Sequence, residues 1–169
     1  MKHYINTIKF WLTLLFCVCC QTMFAQIVAY DFNSGAQGWS LTGAAATGGR
    51  IFMDGGSTKY ATSPLINLAG ITQAQVSVDW NCVDVSSGFE SDDFISVSYW
   101  NGSAYVELWS RNGDQICPNA NNNQTGNTGN ILLPAGISST YILLTSTANS
   151  TSEDIYWDNV ILSLSLIHI

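Results

Sequence analysis

The densest group of reactive side chains is Glu90, Asp92 and Asp93, in a run that reads Glu-Ser-Asp-Asp-Phe-Ile over 90–95. Paired carboxylates can hydrolyse a glycosidic bond, one as acid and the other as base or nucleophile. Other catalytic chemistry has little to draw on. From Gln26 to Ser163 there is no histidine to act as base, and Cys82 and Cys117 are its two cysteines. Neither thiol can attack a substrate if the two are bridged. The acidic run therefore predicts a solvated loop or a cation site. Aromatic side chains offer different chemistry. Trp100 is out of phase with Ile95, Val97 and Tyr99, so it points to the opposite face of its strand. Trp109 shares a period-two face with Tyr105 and Glu107. A flat indole can stack on a sugar ring while Asn, Asp and Glu bond its hydroxyls. The ligand candidates are Trp100, Trp109, Tyr105 and Glu107, whereas Trp39, Trp80 and Trp157 are expected in the core.

The elements that must position these groups are short strands. Residues 27–32 open as a strand, 33–38 turn into Trp39, and 50–53 form a strand closed by Asp54-Gly55-Gly56. Pro64 keeps the chain before it extended. Val76, Val78, Trp80 and Cys82 alternate with Ser77, Asp79 and Asn81, which gives one dry face and one wet face. Asn101-Gly102 between the runs 94–100 and 103–109 predicts a type I′ hairpin. The Asn-rich stretch 118–130 reads as a long surface loop tied down by Cys117, and 141–145 and 155–161 supply the last strands. No segment keeps helical periodicity over three turns. About eight strands at this spacing predict an all-β chain folded as a two-sheet antiparallel β-sandwich.

The two ends are read apart from that domain. Residues 1–25 have the form of a secretory signal peptide. Met1, Lys2, His3 and Lys9 make a basic start, 10–20 is apolar, and cleavage is expected after Ala25. The apolar run is well short of the ~20 residues that a membrane span needs. Cys17, Cys19 and Cys20 lack the small preceding residue of a lipoprotein site. Export implies an oxidising compartment, where Cys82 and Cys117 suggest one disulfide; two separately buried thiols are the alternative. Residues 164–169 read Leu-Ser-Leu-Ile-His-Ile, which continues the alternation before it. The same six residues resemble the translation of a common transposase adapter. On that reading the domain spans 26–163, His168 is foreign to it, and further domains of the same chain lie downstream.

The whole sequence has twelve acidic and five basic residues, a formal charge of −7 and a pI near 4.3. That balance excludes a phosphate-binding surface and so a nucleic-acid partner.

Four stretches together resemble the MAM-like and carbohydrate-binding jelly-roll modules of secreted bacterial proteins: Asp31-Phe-Asn-Ser-Gly-Ala-Gln-Gly-Trp39, Ala61-Thr-Ser-Pro-Leu-Ile-Asn-Leu68, Glu90-Ser-Asp-Asp-Phe-Ile-Ser-Val97 and Tyr156-Trp-Asp-Asn-Val160. Vertebrate-type MAM domains are richer in cysteine. The resemblance implies a jelly roll of MAM/concanavalin-like or galactose-binding-like form. It implies that Asp31 and Asp158 are neighbours and that a structural Ca2+ is held by Asp31, Asn33, Asp54 and Asp158, with Asn159 in reserve. Jelly-roll glucanases carry Glu-x-Asp-x-x-Glu, but Ile95 stands where the second Glu would be. The expected function is a non-catalytic recognition module, secreted or at the cell surface, that binds a glycan or an extracellular protein. A spacer domain without small ligand and a jelly-roll glycosidase or lyase are the alternatives.

Overall fold

The computed structural model describes residues 26–84, 88–117 and 123–165. The expected leader, 1–25, and residues 166–169 lie outside them. In chain order the strands are β1 (Gln26–Tyr30), β2 (Ser40–Thr42), β3 (Ala45–Thr47), β4 (Arg50–Met53), β5 (Lys59–Thr62), β6 (Ile66–Asn67) and β7 (Ala74–Asp84). There follow β8 (Phe94–Trp100), β9 (Tyr105–Asn112), the one-turn helix α1 (Gly113–Ile116), β10 (Gln124–Asn127), β11 (Ile131–Leu132), β12 (Ser139–Thr140), β13 (Ile142–Thr147) and β14 (Glu153–Leu164). One sheet runs β2-β5-β13-β8-β9. The larger runs β10-β7-β14-β4-β3, with β1 added on β14 and β11 on β7, and β6 and β12 pair as a separate two-stranded sheet. All pairings are antiparallel, and the fold is an all-β sandwich as the sequence predicts.

Period-two alternation decides which face of each sheet is dry. Val76, Val78 and Cys82 of β7 are fully buried and Trp80 nearly so. Opposite them, Ala61, Leu144 and Val97 fall in one cross-strand row of the smaller sheet and are all fully buried. Trp39, Trp80 and Trp157 fill the core as expected. Burying an aromatic side chain of this size contributes on the order of 2–3 kcal/mol. Cys82 and Cys117 are joined in a disulfide that links β7 to the residue after α1.

Three local expectations change. The 94–112 hairpin forms, but with Gly102 alone at positive φ (100°), so the I′ geometry that places both Asn101 and Gly102 there is not adopted. Asn101 Oδ1 instead accepts from the amides of Ser103 and Ala104, both at 2.9 Å, and this side-chain cap sets the turn. The stretch 118–130 is not all loop. Residues 124–127 pair with β7 as an edge strand, which needs backbone partners but no apolar side chains. Residues 118–122 lie outside the described residues. Finally, β14 carries one extra residue between Asp158 and Ile161 relative to β7. Asn159 sits at this bulge with φ 46°. The bulge lets the first half of β14 pair with β4 and the second half with β1.

Candidate functional site

Two outward faces carry the side chains that could meet a ligand. On the smaller sheet, register places Thr42, Tyr60, Thr145, Ser96 and Ser110 in one row across all five strands. Ser40, Thr62, Leu143, Ser98 and Glu107 form the next row. Side chains directly opposite in an antiparallel pair share a face, so this face is a band of hydroxyl groups. In its middle Thr145, Ser96 and Ser98 are buried and Leu143 is half-buried, and Tyr60, Phe94 and Tyr105 stand exposed around them. Trp100 and Tyr105 pair across the hairpin with ring centroids 5.1 Å apart in an edge-on arrangement. Ser110 donates to Glu107 at 2.8 Å.

Register thus puts Trp100, Tyr105 and Glu107 on one face, whereas the sequence grouped Trp109 with Tyr105 and Glu107. Trp109 does not join them. One residue of β9, Leu108, is extra between the pairs Val97–Trp109 and Ser98–Glu107. This bulge turns Trp109 to the side of Val97, where it packs partly buried against the core with Arg111 over its ring at 5.5 Å. Uninterrupted alternation cannot anticipate a bulge, because nothing in Glu-Leu-Trp marks one.

The outward face of the larger sheet holds a depression of about 490 Å3, lined by Arg50, Asp79, Asn81, Asn127, Tyr156 and Asp158 among others. Cross-strand pairing builds it. Thr125, Asn81, Tyr156 and Phe52 form one row, and Asn127, Asp79 and Asp158 the next. Tyr156 packs on Phe52 at 5.1 Å, and the Arg50 guanidinium lies 4.9 Å from the Tyr156 ring centre. Asp79 is held by two amide donors, Asn127 Nδ2 at 2.5 Å and Asn159 Nδ2 at 2.8 Å. Asp158 Oδ1 accepts from the Asn159 N–H at 2.7 Å. Burial holds the Asp158 carboxyl above its ordinary range, and the nearby charges of Asp79 and Asp31 push the same way. Burial likewise raises the Tyr156 phenol. Apart from Asp158, the sequence reading passed over these residues. Their signal was the polar alternate positions of β7 and β14, which identify a wet face but not a concave one.

The metal candidates separate. Asp31 Oδ1 accepts from Gln37 Nε2 at 2.6 Å, and Oδ2 accepts from Asn33 Nδ2 at 3.1 Å. These donors, Gln37 first, hold Asp31 below the usual carboxylate range. Phe32 and Gln37 beside it take positive φ, 52° and 50°. Gln37 Oε1 is buried and has no hydrogen-bond partner among the described residues. Asp54 is elsewhere engaged, with Lys59 Nζ 3.3 Å away. The charge of Asp31 reaches Asp158, and Asp54 is paired with Lys59.

No protein-family profile and no curated protein sequence matches the chain. Solved structures do match. The K3 cleaved adhesin domain of Lys-gingipain from Porphyromonas gingivalis W83 superposes with a TM-score of 0.57 at 13% identity, over 83% of this chain and 99% of that one. The K1 domain of the same protein gives 0.50 at 13%, over 82% and 98%. The CBM22-1 and GH10 modules of Clostridium thermocellum endo-1,4-beta-D-xylanase 10B, complexed with xylohexaose, give 0.51 at 18%, over 87% of this chain and 30% of that one. These likenesses establish the fold. Among the described residues no helix is long and apolar enough to cross a membrane.

Proposed function

We propose that this chain is a non-catalytic extracellular recognition module that binds a glycan in the depression of the larger sheet. One observation carries the reading: Tyr156 lies among Arg50, Asp79, Asn81, Asn127 and Asp158 in a concavity of about 490 Å3. An aromatic ring surrounded by planar amides, carboxylates and a guanidinium offers an apolar surface for a sugar ring and paired bonds for its hydroxyls. The gingipain neighbours are adhesin domains, and the xylanase neighbour was solved with xylohexaose. Both support a binding role. The Trp100–Tyr105 edge with Glu107 serves in this account as an outer contact for a longer glycan or a protein surface. Secretion through a cleaved leader and attachment to a larger protein complete it. Asp31, Asn33, Asp158 and the buried, unpartnered Gln37 Oε1 offer oxygen donors of the kind a structural Ca2+ takes, while Asp54 is paired with Lys59.

Calorimetric titration with xylo-, cello- and manno-oligosaccharides tests the reading. Tyr156→Ala is expected to weaken binding at least tenfold, the scale of one lost stacking and burial contact, and Trp100→Ala to weaken it less. Binding lost with Trp100→Ala and kept with Tyr156→Ala would move the site to the smaller sheet. No binding to any sugar leaves the spacer role.

The cross-strand pair Asp79 and Asp158 favours a second reading, a glycosidase, since directly opposed residues have Cβ atoms about 4.5–5.5 Å apart. Release of reducing ends from the same sugars, lost in Asp158→Asn, would establish it.

A further inference from the structure

Glu90 and Asp93 precede β8, and Glu153 begins β14. Folding nevertheless brings one carboxylate oxygen from each within 4.8 Å of the other two. Asp93 and Glu153 are buried, at 1% and 0% exposure, and Glu90 is exposed. The backbone has already supplied its donors. Asp93 accepts from the amides of Glu90 at 2.8 Å and Asn149 at 3.1 Å, and Glu153 Oε2 from Ser150 N–H at 2.9 Å. Glu153 Oε1 is buried with no hydrogen-bond partner among the described residues. Among the described residues the basic side chains are engaged elsewhere: Lys59 pairs with Asp54, Arg50 lies on Tyr156 and Arg111 on Trp109. Burial and the neighbouring acids push the Glu153 carboxyl up to about 7.

An ionised carboxylate left unpaired inside a protein costs several kcal/mol. Three carboxylates converge here, two of them buried and one with a buried oxygen that has no partner among the described residues, and such a cluster calls for a positive charge at its centre. We infer that Glu90, Asp93 and Glu153 form a divalent-cation site of the calcium class, separate from the Asp31 corner. The donor set is all oxygen, as Ca2+ prefers, and has no Cys or His to favour zinc. The exposed Glu90 leaves the ion a way in. The ion would tie the segment before β8 to the turn between β13 and β14. That segment is also held from the other side, by Phe89 N–H to Cys117 O at 3.2 Å and Gly113 N–H to Asp93 O at 2.9 Å. The cation and the disulfide therefore brace the same loops.

The test uses the full chain, stripped with EDTA and dialysed, then titrated with CaCl2 by calorimetry and followed by thermal melting. At a hundredfold excess over Kd, Ca2+ is expected to raise Tm by about 5–10 °C. Glu153→Gln and the milder surface change Glu90→Gln should each reduce affinity at least tenfold, and Asp31→Asn should leave this event in place. Glu90→Gln keeps the test decisive if Glu153→Gln does not fold. Unchanged Ca2+ affinity in both cluster variants would overturn the site. So would a folded protein indifferent to millimolar Ca2+, which would mean that a shared proton neutralises the cluster instead.

Discussion

Gly126 has no side chain, and the Trp80 indole uses the space. A Cβ built at 126 would overlap the ring. Trp80 can therefore lie beneath edge strand β10 and form part of the wall of the depression. Gly126→Ala should cost about 1–3 kcal/mol, the usual range for overpacking, and weaken sugar binding in step; urea melts beside the calorimetric titration check both. At this scale the sequence was legible only in part. Tyr105 and Glu107 share a face because simple alternation holds between them. Glu90 and Asp93 could be singled out as acids close in sequence. Glu153, the third member, is sixty positions further along, and only strand pairing brings it near. The depression was missed for a related reason: a row such as Thr125, Asn81 and Tyr156 is drawn from three strands that are distant in the chain.

The element that most shapes the larger sheet is the bulge of β14. Asn159 takes φ 46° there, a conformation that Asn tolerates and β-branched residues do not. It also anchors Asp79 through its side chain. Asn159→Gly should keep the bulge and lose little stability, while Asn159→Val should cost about 1–2 kcal/mol or more. Chemical denaturation of the two variants separates backbone strain from the lost side-chain bond, since both lack the amide. The strands themselves were readable where apolar and polar residues alternate, as in 76–82, 94–100 and 155–161. They were unreadable where an edge strand is polar throughout, as in 124–127, because its stability comes from the ladder of β7. The bulges at Leu108 and Asn159 were equally silent, and each reassigns a face.

At the scale of the molecule, the Cys82–Cys117 bridge closes a loop between residues 35 positions apart. In the chain-entropy model that closure contributes about 4 kcal/mol. Reduction with a thiol, or the double change Cys82→Ala with Cys117→Ala, should lower Tm by roughly 8–16 °C at that magnitude, and scanning calorimetry measures it. The sandwich class followed from composition and turn spacing alone, since few other architectures use so many short strands in one domain. The order of those strands has its own effect on folding. β14 hydrogen-bonds to β7, β4 and β1, so three strands made earlier acquire their shared neighbour only when residues 153–164 are available. Such non-local pairing folds in milliseconds to seconds, not microseconds. A nascent chain stopped short of Glu153 would hold β7 and β4 with open edges ready to pair with other chains. Synthesis must therefore pass through β14 before self-association gives way to the native sandwich.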